Sequence, residues 1–331
     1  MKLGDLSEAQ LVSHFRESFP RGERTIIGIG DDCAEVAAPE GSFIVTTDVM
    51  VEDQHFHLSW STGYEVGARV AAQNLADIDA MGGRPSALVA SIVAPREMDA
   101  DVFLDVVRGL GDRAREAGAG VVGGDLSAGE KLVISITAFG YCPGPVVRRD
   151  GARAGDVVAV SGTLGYSYAG LDLLDGGHVD LSARGVEQLG DLAPFVDTYR
   201  APSPPLGSGV AAAAAGARAM MDLSDGPATD AARIAKASGV VIEFDRPAIE
   251  QEARRLQTPA RICRADPVWW VLQGGEEHGM IAAFPTDVAL PEGFRVIGRA
   301  RSCESGEDPC AMFDGEVLRG AWDHFQADSV D

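Results

Sequence analysis

Six short motifs in this chain set a carboxylate beside a glycine, a hydroxyl or an amide. They are Gly30-Asp31-Asp32, Thr46-Thr47-Asp48, Asn74-Leu75-Ala76-Asp77, Gly123-Gly124-Asp125, Asp222-Leu223-Ser224-Asp225 and Gly274-Gly275-Glu276. Hard oxygen donors of this kind suit magnesium, which takes a few carboxylates and fills its other positions with phosphate oxygens and water. Each motif also has an ordinary reading: Asp-rich and Gly-Gly-Asp sequences make turns, and Thr or Asp at the end of an element makes a cap. Asp77 carries more weight, because an acid among Ala and Leu on an apolar helical stretch is costly unless it is paired or bound to metal. Its ordinary reading is a polar stripe facing solvent. The sharpest motif is Asp222-Leu223-Ser224-Asp225-Gly226, which precedes a helix. A helix N-terminus is an anion site, and two acids there repel phosphate unless a cation intervenes. His278, after Gly-Gly-Glu, reads as structural rather than catalytic. There is no Gly-x-Ser-x-Gly elbow, and no cysteine sits where its pKa would be lowered. The chemistry implied is that of a metal and phosphates, provided folding gathers residues spread from Asp32 to Glu276.

Composition narrows the classes. A formal net charge of -22 argues against nucleic acid or an anionic membrane as partner. It leaves a phosphorylated substrate open, because bound magnesium reverses the local field. Lys2, Lys131 and Lys236 are the only lysines, and no P-loop sequence occurs. The five cysteines are odd in number and lack a Cys-x-x-Cys pair, which speaks against zinc and against a disulfide framework. The start has no apolar signal core, and the longest apolar stretch, near residues 210–221, is interrupted by Arg218. No membrane span is expected, and the cytoplasm is the expected compartment.

The elements that must position these residues follow from periodicity and from breakers. In the first half the pattern predicts helices over 7–19, 63–81 and 99–117, the first opened by a Ser7/Gln10 capping box. Strands are predicted over 42–48, 87–93, 120–122 and 132–141. Cys142-Pro143-Gly144-Pro145 marks a boundary, giving domains 1–144 and 145–331. Beyond it the pattern predicts strands over 156–161, 219–223, 240–244, 280–283 and 294–298, with helices over 164–174, 182–199, 206–215 and from Gly226 to about 238. The fold class is α/β or α+β in two domains. Acids on strand-to-helix loops are expected to share one rim, the ligand side of open sheets.

Taken together and in order, the motifs resemble those of the thiamine-monophosphate kinase family. That family belongs to the ATP-binding superfamily of aminoimidazole ribonucleotide synthetase and selenophosphate synthetase. Further matching stretches are His55-Phe56, Ala80-Met81-Gly82-Gly83, Arg149-Asp150-Gly151-Ala152, Gly165-Tyr166-Ser167 and Trp322-Asp323-His324-Phe325. The resemblance implies a synthetase-like fold whose N-terminal domain binds ATP and magnesium and dimerises, while a C-terminal α/β domain completes the active site. It implies transfer of the ATP γ-phosphoryl group to thiamine monophosphate, in a homodimer, giving thiamine diphosphate. It places Asp32, Thr46, Thr47, Asp48, Asp77, Asp125, Asp222 and Asp225 around several magnesium ions. It gives Gly124, Asp125, Arg149 and Ser224 contacts to ATP, and makes Asp222, Asp225 and Arg149 position the phosphoryl group. It puts His55, Glu276 and Trp322 on the thiamine side.

The chain departs from the family pattern at Glu277-His278-Gly279, where Asp-Tyr-Glu is frequent, at Ala117, where an aromatic residue is frequent, and at Leu126-Ser127, where Thr-Thr is usual. The rival readings are a selenophosphate or aminoimidazole-ribonucleotide synthetase and a non-catalytic nucleotide-binding relative. The first of these needs a cysteine and a lysine near the N-terminus, and no cysteine precedes Cys33.

Overall fold

The computed structural model describes residues 2–5, 8–27, 35–38, 41–179, 181 and 189–320. Asp32 and Trp322 lie outside the described residues, as do Ser7 of the expected capping box and residues 182–188 of the expected helix over 182–199. The chain forms two compact units. The first comprises Met1–Val146 and a later return over Arg200–Ala214, and the second takes most of the chain from Val147 onward.

The first unit runs α1 (Glu8–Ser18), a small pair β1 (Thr25–Ile27) and β2 (Glu35–Val36), β3 (Ile44–Val51), α2 (Gly63–Ala80), β4 (Arg84–Ala94), α3 (Ala100–Glu116), β5 (Gly120–Ala128) and β6 (Val133–Tyr141). Its main sheet has the order β3-β6-β4-β5 and is antiparallel except between β4 and β5. A capping box fixes the start of α2: the Thr62 side chain accepts from the Glu65 N–H, and the Glu65 carboxylate accepts from the Thr62 N–H. Val66, Val70, Leu75 and Ile78 of α2 join Phe103, Val106 and Leu110 of α3 in a core with Leu88, Ile92, Ile134 and Ile136 of the sheet. Each such burial contributes roughly 1.5–3 kcal/mol before entropy is counted. The opposite face of the sheet is open. Val45 and Val49 are 54% and 48% exposed on it, and Phe43, 58% exposed, packs its ring against Phe139.

The second unit begins with β7 (Val157–Val160), α4 (Tyr166–Asp175) and α5 (Ala193–Arg200). The chain then returns to the first unit for α6 (Ser208–Ala214). There the buried Asp79 carboxylate of α2 accepts from the N–H groups of Gly207, Gly209 and Val210 and from the Ser208 hydroxyl. Burial holds the Asp79 pKa above the ordinary carboxylate value, against the pull of these donors.

The rest of the second unit is β8 (Ala219–Asp222), α7 (Pro227–Ser238), β9 (Val240–Phe244), α8 (Arg246–Ala253), α9 (Gln257–Cys263), α10 (Pro267–Gln273), β10 (Met280–Phe284), β11 (Arg295–Ser302), β12 (Ala311–Phe313) and β13 (Glu316–Val317). Its sheet has the order β13-β12-β9-β11-β7-β10-β8 and is parallel only between β12 and β9. The architecture is α+β, with two largely antiparallel sheets. The acids of the first unit therefore sit within strands and a helix, while Asp222 and Asp225 stand at a strand end and on a strand-to-helix link as expected. Among the described residues, no helix is long and apolar enough to cross a membrane.

Candidate active site

In the first unit the donors sit within regular structure. Thr46 and Asp48 share the helix-covered face of β3 with their buried β6 partners Ala138 and Ile136. The Thr46 hydroxyl donates to Asp77 Oδ2 at 2.6 Å, and the Asp48 N–H donates to Asn74 Oδ1 at 3.2 Å. Asn74 is buried and donates in turn to the Val70 carbonyl. The polar stripe of α2 thus faces strand β3 rather than solvent, and it ties Thr46, Asp48 and Asp77 together.

Side chains alternate across a strand, so Thr47 lies on the open face. Its hydroxyl donates to the Ile136 carbonyl and accepts from Thr137. The Gly-Gly-Asp motif is neither a strand end nor a turn. Gly123, Gly124 and Asp125 pair in register with Val89, Ala90 and Ser91 inside β5. A Cβ at Gly124 would stand 1.9 Å from the Ala90 carbonyl oxygen, so only glycine fits there. Asp125 is exposed on the open face, in one cross-sheet row with Ser91, Ser135 and Val49. Strands β3 and β5 are the two edges of the sheet, three strand spacings or roughly 14 Å apart. The unit therefore brings Thr46, Asp48 and Asp77 together and separates them from Asp125. His55 Nδ1 accepts from the Val51 N–H, which assigns the ring hydrogen to Nε2.

In the second unit the acids sit at a strand end, on a link and in a helix's first turn, and are braced. Asp222 ends β8 and is buried, with His278 Nδ1 at 3.0 Å from its Oδ2. Asp225, three residues on, meets the Arg233 guanidinium at 2.5 Å. Asp230, in the first turn of α7, is wholly buried. It accepts from the Asp225 N–H at 3.1 Å and from Arg233 at 2.9 Å. Burial, then the charges of Asp222 and Asp225, push the Asp230 pKa well up. The loop over residues 274–279 is zipped onto residues 223–224: the N–H groups of Glu276 and His278 donate to the carbonyls of Ser224 and Leu223, and the Leu223 N–H donates to Gly279. A Cβ at Gly275 would stand 2.2 Å from the Ser224 oxygen, which explains a glycine there. Glu276 is half-buried, with φ +73.

Arg149 is exposed beside β8. The Arg148 carbonyl accepts from Met220, and the Arg149 carbonyl accepts from the Ser238 hydroxyl. Glu277, fully buried, caps α4 by accepting from the Ser167 N–H. Burial pushes its carboxyl up to about 8, against the pull of the Ser167 N–H and His278.

Asp230 and Arg233 are the residues that sequence reasoning passed over, and Glu277 was noted only as a departure from the family pattern. Asp230 had a legible signal, since it is an acid within Ala228-Thr229-Asp230-Ala231-Ala232, the same anomaly that singles out Asp77.

Two units built on largely antiparallel sheets backed by helices define a synthetase-like α+β fold. Residues 30–142 match the family described as "AIR synthase related protein, N-terminal domain". Over 326 residues the chain is 43% identical to the thiamine-monophosphate kinase of Mycobacterium tuberculosis, covering 98% of this chain and 93% of that one. The crystal structure of the Stenotrophomonas maltophilia thiamine-monophosphate kinase superposes with a TM-score of 0.78 at 26% identity, covering 96% of this chain and 99% of that one. A solved structure described as AaThiL complexed with AMPPCP and TMP gives a TM-score of 0.73 at 28% identity, covering 98% and 99%. The chain belongs to the thiamine-monophosphate kinase family.

Proposed function

We propose that this protein transfers the γ-phosphoryl group of ATP to thiamine monophosphate, giving thiamine diphosphate, and that it works with magnesium. The observation that carries this reading is the match along nearly the whole chain to thiamine-monophosphate kinases. A relative of the same fold, described as complexed with AMPPCP and TMP, supports the choice of donor and acceptor.

The donor set fits the metal. Among the described residues no three His, Cys, Asp or Glu side chains converge to hold a cation by themselves. Magnesium rarely uses an all-protein cage: it takes one or two carboxylates, phosphate oxygens and water. In the first unit Thr46, Asp48 and Asp77 would serve one ion, while Thr47 and Asp125, on the other face and at opposite edges of the sheet, would serve others; in the second, Asp222 and Asp225 would serve, and Asp32 belongs to the same expected set. When bound, magnesium neutralises the phosphates of donor and acceptor.

The acceptor phosphate oxygen is already anionic, so no side chain has to remove a proton. The task left to the protein is alignment of two polyanions for an in-line transfer. Arg149 offers an exposed planar fork for phosphate oxygens. Ser224 and the close-packed backbone at Gly124 are assigned to the nucleotide. His55, with Nε2–H as donor, is assigned to the thiamine side with Glu276 and Trp322. Asp222 and Asp225 position the transferring group.

The working form is a homodimer that pairs the open sheet faces of two first units. The exposed Phe43, Val45 and Val49 support this, because monomers rarely leave such an apolar row uncovered.

The test is product formation from thiamine monophosphate, ATP and magnesium, with free thiamine in a parallel reaction. Thiamine diphosphate from the monophosphate alone is the expected result. ATP turnover without that product, or none with any divalent ion, overturns the proposal.

A further inference from the structure

Three of the six residues in the loop 274–279 are glycine, yet two of the others, Glu276 and His278, adopt φ of +73 and +56. A non-glycine residue in that region costs about 1 kcal/mol or more. A turn that served only to reverse the chain would lose nothing by having glycine at 278. The side chain present there makes a specific contact: its Nδ1 lies 3.0 Å from Asp222 Oδ2, with both groups buried. An ionised carboxylate can only accept, so Nδ1 carries the hydrogen. The His278 N–H is itself bonded to the Leu223 carbonyl, which fixes the ring's root next to the residue it orients. Its Nε2 stands 4.0 Å from Glu276 Oε2.

We propose that His278 is a positioning residue for Asp222. It takes one lone pair of Oδ2 and so fixes the orientation of the carboxylate that would hold magnesium, and it stands between that acid and Glu276. This rests on the reading of Asp222 as a metal-binding residue. A partner of this kind, which touches a metal-binding side chain but not the metal, typically accounts for about 10–100-fold in metal affinity.

The experiment titrates protein saturated with a non-hydrolysable ATP analogue with Mn²⁺ as probe, followed by its electron paramagnetic resonance and compared with the analogue alone. The variants are His278→Gly and His278→Asn. Both accept positive φ, so their difference reports the side chain and not the backbone. Asn places an amide N–H near the position of Nδ1. The expected result is Mn²⁺ binding about tenfold or more weaker in the Gly variant, and near wild type in the Asn variant. A folded Gly variant that binds Mn²⁺ as wild type does overturns the proposal. If the Gly variant fails to fold, His278→Gln takes its place: its amide reaches toward the Nε2 position, so it should bind weakly while Asn binds well, and equal binding by the two overturns the proposal. A wild-type protein that binds no Mn²⁺ beyond that held by the analogue alone overturns the metal reading of Asp222 itself, and that outcome is distinct from the others.

Discussion

In the first unit Asp125 stands exposed on the open face of β5, with only a long contact from the neighbouring Ser127 hydroxyl named for it, while the Thr46 hydroxyl donates to Asp77. In the second unit Asp222 closes β8 and Asp225 lies on the short link to α7, and the two are gripped by His278, Arg233 and the buried Asp230. A strand fixes the direction of its side chains through the ladder. A loop has no such device and must import one. In the first unit, then, an acid should be removable with little effect on folding. In the second, its supports belong to the stability of the unit.

The largest effect expected is from Asp225→Asn. Turnover should fall by roughly 10²–10³-fold, the scale of losing one electrostatic stabiliser of a transition state. Unchanged turnover with a normal circular dichroism spectrum would break the comparison at its functional end. Asp125→Asn should also lower turnover, yet leave unfolding free energy within about 0.5 kcal/mol of wild type, as for an exposed site; urea denaturation checks this. Asp230→Ala is the opposite case. It leaves the Asp225 N–H without its acceptor and should cost about 1–3 kcal/mol in the same assay.

The Glu277 carboxyl sharpens the comparison through pH. Its pKa in the fold is about 8 against 4.5 for an unperturbed side chain, so the unfolded chain loses its proton first. This contribution to stability is whole below pH 4.5 and declines as pH rises toward about 8. Glu277→Gln keeps the buried group neutral, and the stability-pH curve should be flatter across that window. No flattening would show that Glu277 is ionised in the fold. The smallest effect expected is from Thr46→Val, which removes one hydrogen bond to Asp77 for about 1 kcal/mol, as thermal denaturation would register.

Most elements were legible from the sequence. The runs near 44–51, 84–94 and 280–284 and the helices around 63–80, 100–116 and 227–238 stand close to where periodicity and glycine breaks put them. Strand direction was not legible, because alternation says which face a residue takes and nothing about its neighbour's polarity. Gly123-Gly124-Asp125 misled for a related reason. Two glycines read as a turn, but Gly124 is there so that β5 can run close to Ala90. The helices over 246–253 and 257–263 gave no clear periodic signal in so few turns. Within the candidate site, the expectation for Asp222 and Asp225 came from type and spacing. Their braces were not legible, because His278 lies more than fifty positions from Asp222 and meets it only through the pairing of two loops.

Asp79 has a further consequence. The residues that satisfy its buried carboxylate, Gly207 to Val210, are separated from it by more than a hundred positions, and the chain begins another unit in between. A fragment cut after Val146 keeps that acid and loses every donor named for it. The N-terminal piece is thus not an autonomous building block, and during synthesis it stays incomplete until the ribosome has passed Ala214. A gene split at the evident Pro-Gly boundary should yield two halves that become soluble only when produced together.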